Sequence, residues 1–260
     1  MVMAIRRKNP AEIDKMRVAG SLVAKILSEL AGMCSAGRTT EEFERRSAEM
    51  IAAAGAVALF KGVPQYAGGM AYPATVCVSV NEEVVHGIPG PRLIVAGDIV
   101  SFDVGVKIEG FCGDAALTVP VGQVSPDAQR LIDVTRRTLD VAIETIRPGL
   151  LWSAVAAKME RTVHEAGFSV VTDFVGHGIG TEMWEEPKLQ NFVSRELLRN
   201  DILLEAGMVL AVEPMVNMGL ARIKVLSDGW TAITADKKPS AHFEHSVAIT
   251  ESGPLILTVK

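Results

Sequence analysis

Two aspartates interrupt what otherwise reads as a single apolar hairpin, and this limits the possible folds more than any other feature. The run is Ile99-Val-Ser-Phe-Asp103-Val-Gly-Val-Lys-Ile-Glu-Gly-Phe-Cys-Gly-Asp114-Ala-Ala-Leu-Thr-Val119. Lys107 to Gly110 is polar and ends in glycine, as a hairpin turn requires. Folding the run about the middle of that stretch sets Asp103 opposite Asp114, and directly opposed side chains have Cβ atoms roughly 4.5–5.5 Å apart. Two carboxylates about 5 Å apart repel by about 3 kcal/mol at an effective dielectric of about 20. In a core hairpin something positive has to sit between them, and a metal cation meets that need. The alternative is a solvated face carrying both groups, as edge strands do.

The rest of the chain leaves room for a buried site. Of 260 residues, 48% are hydrophobic and 22% charged, which suits a soluble globular enzyme with an ample core. A net charge of −5, with Arg6-Arg7-Lys8 as the one basic block, argues against a nucleic-acid partner. No apolar segment follows that block as in a signal peptide, and the longest apolar stretch, residues 51–60, is too short to span a bilayer. No membrane partner is expected. Cys34, Cys77 and Cys112 have neither C-x-x-C spacing nor the look of a disulfide framework, which fits a reducing cytoplasm. No low-complexity linker divides the chain, so residues 1–260 are expected to form one domain.

Asn9-Pro10-Ala-Glu12 predicts a helix start, with Asn as cap and Pro at the first helical position. A stripe of Ile13, Met16, Gly20, Val23, Leu27 and Leu30 continues it. Further helices are expected over 40–54, 126–146 and 152–166. Strands are expected over 75–80, 99–119, 208–216, 221–225, 230–234, 242–250 and 255–259. A weak internal echo runs at an offset of 112 residues: Gly37 matches Gly149, and Ala54-Gly55 matches Ala166-Gly167. Two related halves, each a helix pair feeding strands, would produce it, as would chance.

Three more polar clusters break apolar runs: Val175-Gly-His177-Gly-Ile-Gly180, Leu210-Ala-Val-Glu213-Pro-Met, and His242-Phe-Glu244-His245. Each alone has an ordinary reading as a turn or as a paired strand carboxylate. Together with the aspartates they supply two Asp, two Glu and one His, the inventory of a carboxylate-rich dinuclear site. Four carboxylates approach neutrality only against two divalent ions.

At this point the chain resembles a known family. Asn81-Glu-Glu-Val-Val-His86-Gly-Ile-Pro, Asp98-Ile-Val-Ser-Phe-Asp103, Gly113-Asp114, Gly176-His177-Gly-Ile-Gly, Val212-Glu213-Pro-Met and Phe243-Glu244-His245 are similar, in order and spacing, to type I methionine aminopeptidase. The resemblance implies an α+β pita-bread fold, with pseudo-two-fold halves and a central antiparallel sheet covered by helices. It implies Asp103, Asp114, His177, Glu213 and Glu244 as ligands of two divalent metal ions, with Co, Mn, Fe(II) or Zn as candidates. It further implies that metal-activated hydroxide attacks the peptide bond after an N-terminal methionine. Glu213 would shuttle a proton, and His86 would reach the scissile amide. The implied substrates are nascent polypeptide N-termini, with the ribosome as a docking partner, although the chain shows no N-terminal zinc-finger extension to supply such docking. A monomer is expected. His242 and His245 are read as turned to the opposite face from Glu244, or along the sheet, in supporting or structural roles, and His164 as a surface residue.

Two departures from the family stand out. Trp184 takes the place of a second catalytic histidine just before Glu185-Glu186-Pro187, and an indole N–H donates a hydrogen bond but cannot accept a proton. In the specificity pocket the paired tyrosines are reduced to Tyr72, with Gly69 at the first position. Tyr72, Cys77, Met183, Trp184 and Trp230 match substrate-binding positions and would form an apolar, sulfur-tolerant slot. Two rival readings remain open here. One is a related aminopeptidase of altered specificity, such as an X-Pro enzyme; the other is a low-activity or non-catalytic pita-bread module that binds a peptide.

Overall fold

Helix α1 (Pro10–Met33) starts at a full capping box. The Asn9 side chain accepts from the Glu12 amide, the Glu12 carboxylate accepts from the Asn9 amide, and Pro10 supplies the φ of a first turn. In the computed structural model, which describes residues 5–65 and 68–260, the expected stripe of Ile13, Met16, Gly20, Val23, Leu27 and Leu30 is buried. Helix α2 (Thr40–Ala53) has its own capping box between Thr39 and Glu42, and the short β1 (Val57–Ala58) follows. Next come β2 (Cys77–Val80), β3 (Glu83–Val85) and the long hairpin of β4 (Ile99–Ile108) and β5 (Phe111–Pro120).

The chain then repeats its plan with α3 (Pro126–Thr145), α4 (Trp152–Glu165) and β6 (Ser169–Val170). The echo at offset 112 is therefore a fact of the fold. It relates the starts of α2 and α4 (Thr40, Trp152), the ends of α1 and α3 (Met33, Thr145), and the starts of β1 and β6 (Val57, Ser169). The bridges Thr39–Leu93 and Leu151–Leu203 follow it at their first residues and to within two residues at their second. Gly37 and Gly149 have φ of 91° and 83°, and Gly55 and Gly167 have 64° and 76°, a region that glycine enters without steric penalty. Backbone demands at the ends of α2 and α4 thus preserve the glycines of the echo, while most side chains have diverged.

The remaining elements are β7 (Gly176–Gly178), β8 (Glu185–Leu189), α5 (Arg195–Arg199), β9 (Val209–Val212), β10 (Met215–Asn217), β11 (Ile223–Val225), β12 (Ala232–Thr234), β13 (Ser240–His242), β14 (Glu244–Thr250) and β15 (Gly253–Ile256). An antiparallel sheet of nine strands runs β1-β4-β5-β14-β9-β7-β8, with β2 also on β4 and β15 also on β14. Two three-stranded sheets, β13-β10-β6 and β11-β12-β3, flank it. Alternation divides the hairpin's side chains. Phe102, Val104, Val106 and Ala115 pack with Val23, Leu27 and Phe43 of α1 and α2. Leu131, Leu139, Trp152 and Met159 of α3 and α4 cover Leu210, Val212, Val247 and Ile249. Each such large apolar side chain stabilises the fold by roughly 1.5–3 kcal/mol. Contact between α1 and β5 is close enough that a Cβ at Gly113 would lie 2.7 Å from the Gly20 nitrogen.

Three expectations about the sheet need correction, the simplest being the last strand, expected over 255–259 and found as β15 over Gly253–Ile256. The hairpin turns at Glu109-Gly110, with φ of 51° and 82°, a two-residue turn whose twist suits the strands. Its register pairs Asp103 with Ala116 and Asp114 with Gly105, so the aspartates are diagonal rather than directly opposed. They stay on one face because the shift preserves the two-residue period. The expected strands 208–216 and 242–250 are each broken, the first at Glu213-Pro214 and the second at Phe243. Proline has no N–H for the ladder, and there both chains pass from the large sheet (His245 opposite Val212) to a small one (Met215 opposite His242).

Candidate metal centre and active site

The sheet registers assemble the donors. Cys77, Asp103, Ala116 and Glu244 form one row across β2, β4, β5 and β14, and Asp114 lies two residues along β5 on the same face. Opposite Asp114 stands Gly105, where a Cβ would come within 3.3 Å of Asp114 Oδ1. His177 on β7 pairs with Ala211 of β9, and Glu213 follows directly after that strand. Side chains at Gly176 and Gly178 would collide with the carbonyls of Ala211 and Glu186, so the glycines flanking His177 are what allow β7 to pair so closely.

All five expected donors line one cavity of about 360 Å³. Ligand atoms of Asp114, His177 and Glu244 lie within 4.8 Å of one another. This is little more than twice a metal–oxygen bond of about 2.1 Å. His177 Nε2 is 3.6 Å from Glu213 Oε1. The His177 Nδ1 bonds the Gly178 carbonyl at 2.9 Å, so that nitrogen carries the proton and Nε2 presents its lone pair. Asp103 Oδ1, Asp114 Oδ1 and Glu244 Oε1 are buried without any hydrogen-bond partner among the described residues. Such orphaned acceptors are costly unless a cation satisfies them.

The electrostatics agree with that test. Burial raises the pKa of Asp103, Asp114, Glu213 and Glu244, and for Asp103, Glu213 and Glu244 neighbouring carboxylates of the cluster add to the rise. Asp114 is pushed up to about 7 although the Ala115 amide works against the shift. Burial lowers the pKa of His177 and keeps the ring neutral, as a metal ligand needs. The donor set fits divalent cations.

A pH dependence follows. For carboxyls whose folded pKa lies above the unfolded one, the folded state binds the extra proton, so stability is present at low pH and falls as pH rises through the folded value. For Asp114 this window runs from its ordinary 3.8 to about 7. Protein kept in EDTA should show a falling melting temperature from pH 5 to pH 8, and a divalent metal should restore more stability at pH 8 than at pH 5. Calorimetry with and without metal gives the comparison; an equal metal effect at both pH values would contradict a repelling cluster.

His86 follows β3 with φ of 60°, an unfavourable conformation for a residue with a Cβ, and its ring stands edge-on to Phe174 at 5.1 Å. Gly87 next to it packs against β2, where a Cβ would lie 2.9 Å from the Ser79 Cα. Burial lowers the His86 pKa to about 4, so the ring is neutral near pH 7 and faces the cavity as a hydrogen-bonding group. The reading of His242 as turned away is overturned. It lies two residues from Glu244, a spacing that itself favours a shared side, and its Nε2 is 3.8 Å from Glu213 Oε2. The Thr118 hydroxyl bonds both the His242 amide and carbonyl at 2.9 Å, which holds β13 in place. Burial and the neighbouring His86 lower the His242 pKa to about 3. His245 does face away and bonds Thr258.

Beyond the carboxylates the cavity is apolar. Tyr72, Cys77 and Met183 are buried together with Phe60, and Trp230 packs against them. The Tyr72 hydroxyl donates to the Gly87 carbonyl at 2.9 Å, its ring meets Trp230 edge-on at 5.2 Å, and the Trp230 indole donates to the Met70 carbonyl. Trp184 lines the same cavity but is 56% exposed, at its mouth. Phe60 and Phe174 were not anticipated; only the position of Phe174, three residues before His177, hinted at its place.

The pattern of metallopeptidase family M24 matches residues 14–251. The chain belongs to that family, and so takes a divalent metal. Methionine aminopeptidases match it along nearly their whole length. It is 41% identical over 251 residues to methionine aminopeptidase 1 of Bacillus subtilis (strain 168), covering 96% of this chain and 98% of that protein. It is 45% identical over 252 residues to the methionine aminopeptidase of Clostridium perfringens, covering 97% and 98%. The crystal structure of methionine aminopeptidase from Thermotoga maritima superposes with a TM-score of 0.92 at 42% identity, covering 99% of this chain and all of that one. The pita-bread fold and the metallo-exopeptidase class are thereby established for this chain. No helix among the described residues is long and apolar enough to cross a membrane.

Proposed function

We propose that Asp103, Asp114, His177, Glu213 and Glu244 together hold two divalent ions, beside which an N-terminal methionine is bound and released by hydrolysis. The chain is a methionyl aminopeptidase and removes the initiator methionine from protein N-termini. The single observation that carries the two-metal reading is the set of orphaned buried carboxylate oxygens converging with His177 in one cavity. When bound, the ions would supply Lewis acidity and an activated water near neutral pH.

The chain's own residues do the rest. Glu213 stands between His177 and His242, with one carboxylate oxygen 3.6 Å from the first and the other 3.8 Å from the second, and as a carboxylate it would take a proton from water and pass it to the leaving amine. His86 and His242, both neutral, hydrogen-bond the scissile peptide and stabilise the developing charge. Tyr72, Cys77, Met183 and Trp230, with Phe60, take up the methionine side chain, whose thioether is soft and flexible enough to fill such a slot. Nascent chains are the substrates this reading favours, met by a single copy of the enzyme acting as one catalytic unit.

The test is peptide release with Mn, Co, Fe(II) or Zn added to protein stripped by chelation. Metal-dependent methionine release from Met-Ala-Ser is the expected result. Release from Ala-Pro peptides alone would favour the X-Pro alternative, and metal binding without turnover would favour a binding module. Matches to methionine aminopeptidases over nearly the whole length of both chains weigh against the X-Pro alternative, and retention of all five donors weighs against a binding module.

A further inference from the structure

One buried ion pair has no part in the chemistry above, yet it stands directly behind the loop that carries Met183 and Trp184. Lys8 Nζ lies 2.7 Å from Glu185 Oε2 and donates to the Arg6 carbonyl at 3.1 Å. The Lys8 side chain is 1% exposed and that of Glu185 13%. The second carboxylate oxygen, Glu185 Oε1, accepts from the Thr181 amide at 2.8 Å and the Glu182 amide at 3.3 Å. A single carboxylate thus gathers a buried ammonium and the first two amides of loop 181–184.

Both ends of this contact are held by backbone. The Lys8 amide donates to the Gly207 carbonyl at 2.6 Å, and the Gly180 carbonyl accepts from the Cys112 amide at 2.8 Å. There is no spare room, since a Cβ at Gly180 would lie 2.5 Å from Lys8 Cε. A buried ion pair adds little net stability because both charges lose their water, and its best-supported use is to select one geometry. The geometry selected here sends Met183 into the slot beside Tyr72 and Cys77 and leaves Trp184 at the mouth.

We propose that Lys8 and Glu185 are positioning residues for loop 181–184, and that through Met183 they set how sharply the slot distinguishes methionine from other apolar N-terminal side chains. The inference rests on the methionine-slot reading given above. Lys8, far from the slot in sequence and outside the cavity lining, thereby tunes substrate choice through Glu185, which borders the cavity beside Trp184.

The experiment compares kcat and KM for Met-Ala-Ser and Leu-Ala-Ser in manganese-loaded wild type, Lys8→Met, Glu185→Gln and the double variant. Pocket discrimination between similar apolar side chains spans about 10–200-fold. In each variant the KM for the methionine peptide should rise about tenfold and the Met/Leu ratio of kcat/KM should fall about tenfold. Manganese stoichiometry and kcat should stay near wild type. The double variant should be no worse than the poorer single one, as for residues acting as one unit. Glu185→Gln keeps side-chain shape, so it tests the idea even where Lys8→Met fails to fold. An unmoved Met/Leu ratio in Glu185→Gln, or losses that multiply in the double variant, would overturn the proposal. Wild type that releases no methionine would instead overturn the catalytic reading, and this one with it.

Discussion

An Asp114→Asn variant is expected to melt at a higher temperature than wild type in EDTA and yet to lose turnover by roughly 10³-fold or more with metal present. Asp114 is buried with an unpartnered Oδ1, and its carboxyl is pushed up to about 7. Asparagine keeps its volume and removes its charge, which relieves repulsion with Asp103, Glu213 and Glu244. A gain on the order of 1–3 kcal/mol corresponds to about 2–4 °C per kcal/mol for a domain of this size. On the proposed reading the same change removes a ligand, and several kcal/mol of transition-state charge stabilisation goes with it, each 1.36 kcal/mol being about tenfold in rate. With metal added the order of stabilities should reverse, because binding to the folded state alone stabilises it. Calorimetry in EDTA, metal content by mass spectrometry and peptide release together decide the matter. A lower melting temperature in EDTA together with full metal content would show that Asp114 is an ordinary structural aspartate.

A Trp184→His variant should raise kcat by up to about 10²-fold while leaving metal stoichiometry unchanged. The indole lines the cavity mouth and is 56% exposed, so nothing in the core depends on its volume. An imidazole there would both donate and accept a proton, whereas indole only donates. General acid–base groups contribute typically about 10²–10⁴-fold, and on the proposed reading part of that already comes from Glu213, His86 and His242. Single-turnover assays on Met-Ala-Ser separate the chemical step from release. A rate equal to or below wild type would mean that Trp184 is not a substitute for a proton-exchanging group, and that its ring serves substrate contact instead.

Much of the architecture was legible because its causes are local. The capping boxes at Asn9–Glu12 and Thr39–Glu42, the stripe on α1 and the glycines at Gly37, Gly55, Gly149 and Gly167 each answer a requirement of the nearby backbone. The helix ends came out within a residue of expectation for the same reason. His242 was misread because it was grouped with His245, although a spacing of two from Glu244 favours the same face and a spacing of one the opposite face. The break at Phe243 exists only because the paired chain breaks at Pro214, over twenty residues away in sequence.

The amino-acid order by itself determined the donor inventory, since two Asp, two Glu and one His set in apolar runs have few stable uses other than holding cations. It also determined the helices themselves, while their relation as a repeated pair rests on the matching element bounds of the structure. Tertiary structure alone decided that Asp103 and Asp114 are diagonal, that Glu244 falls in the row of Cys77 and Asp103, that His242 faces Glu213, and that Lys8 meets Glu185. These are pairings across long loops. They depend on strand register and on how closely glycine lets backbones approach, and no local propensity encodes either.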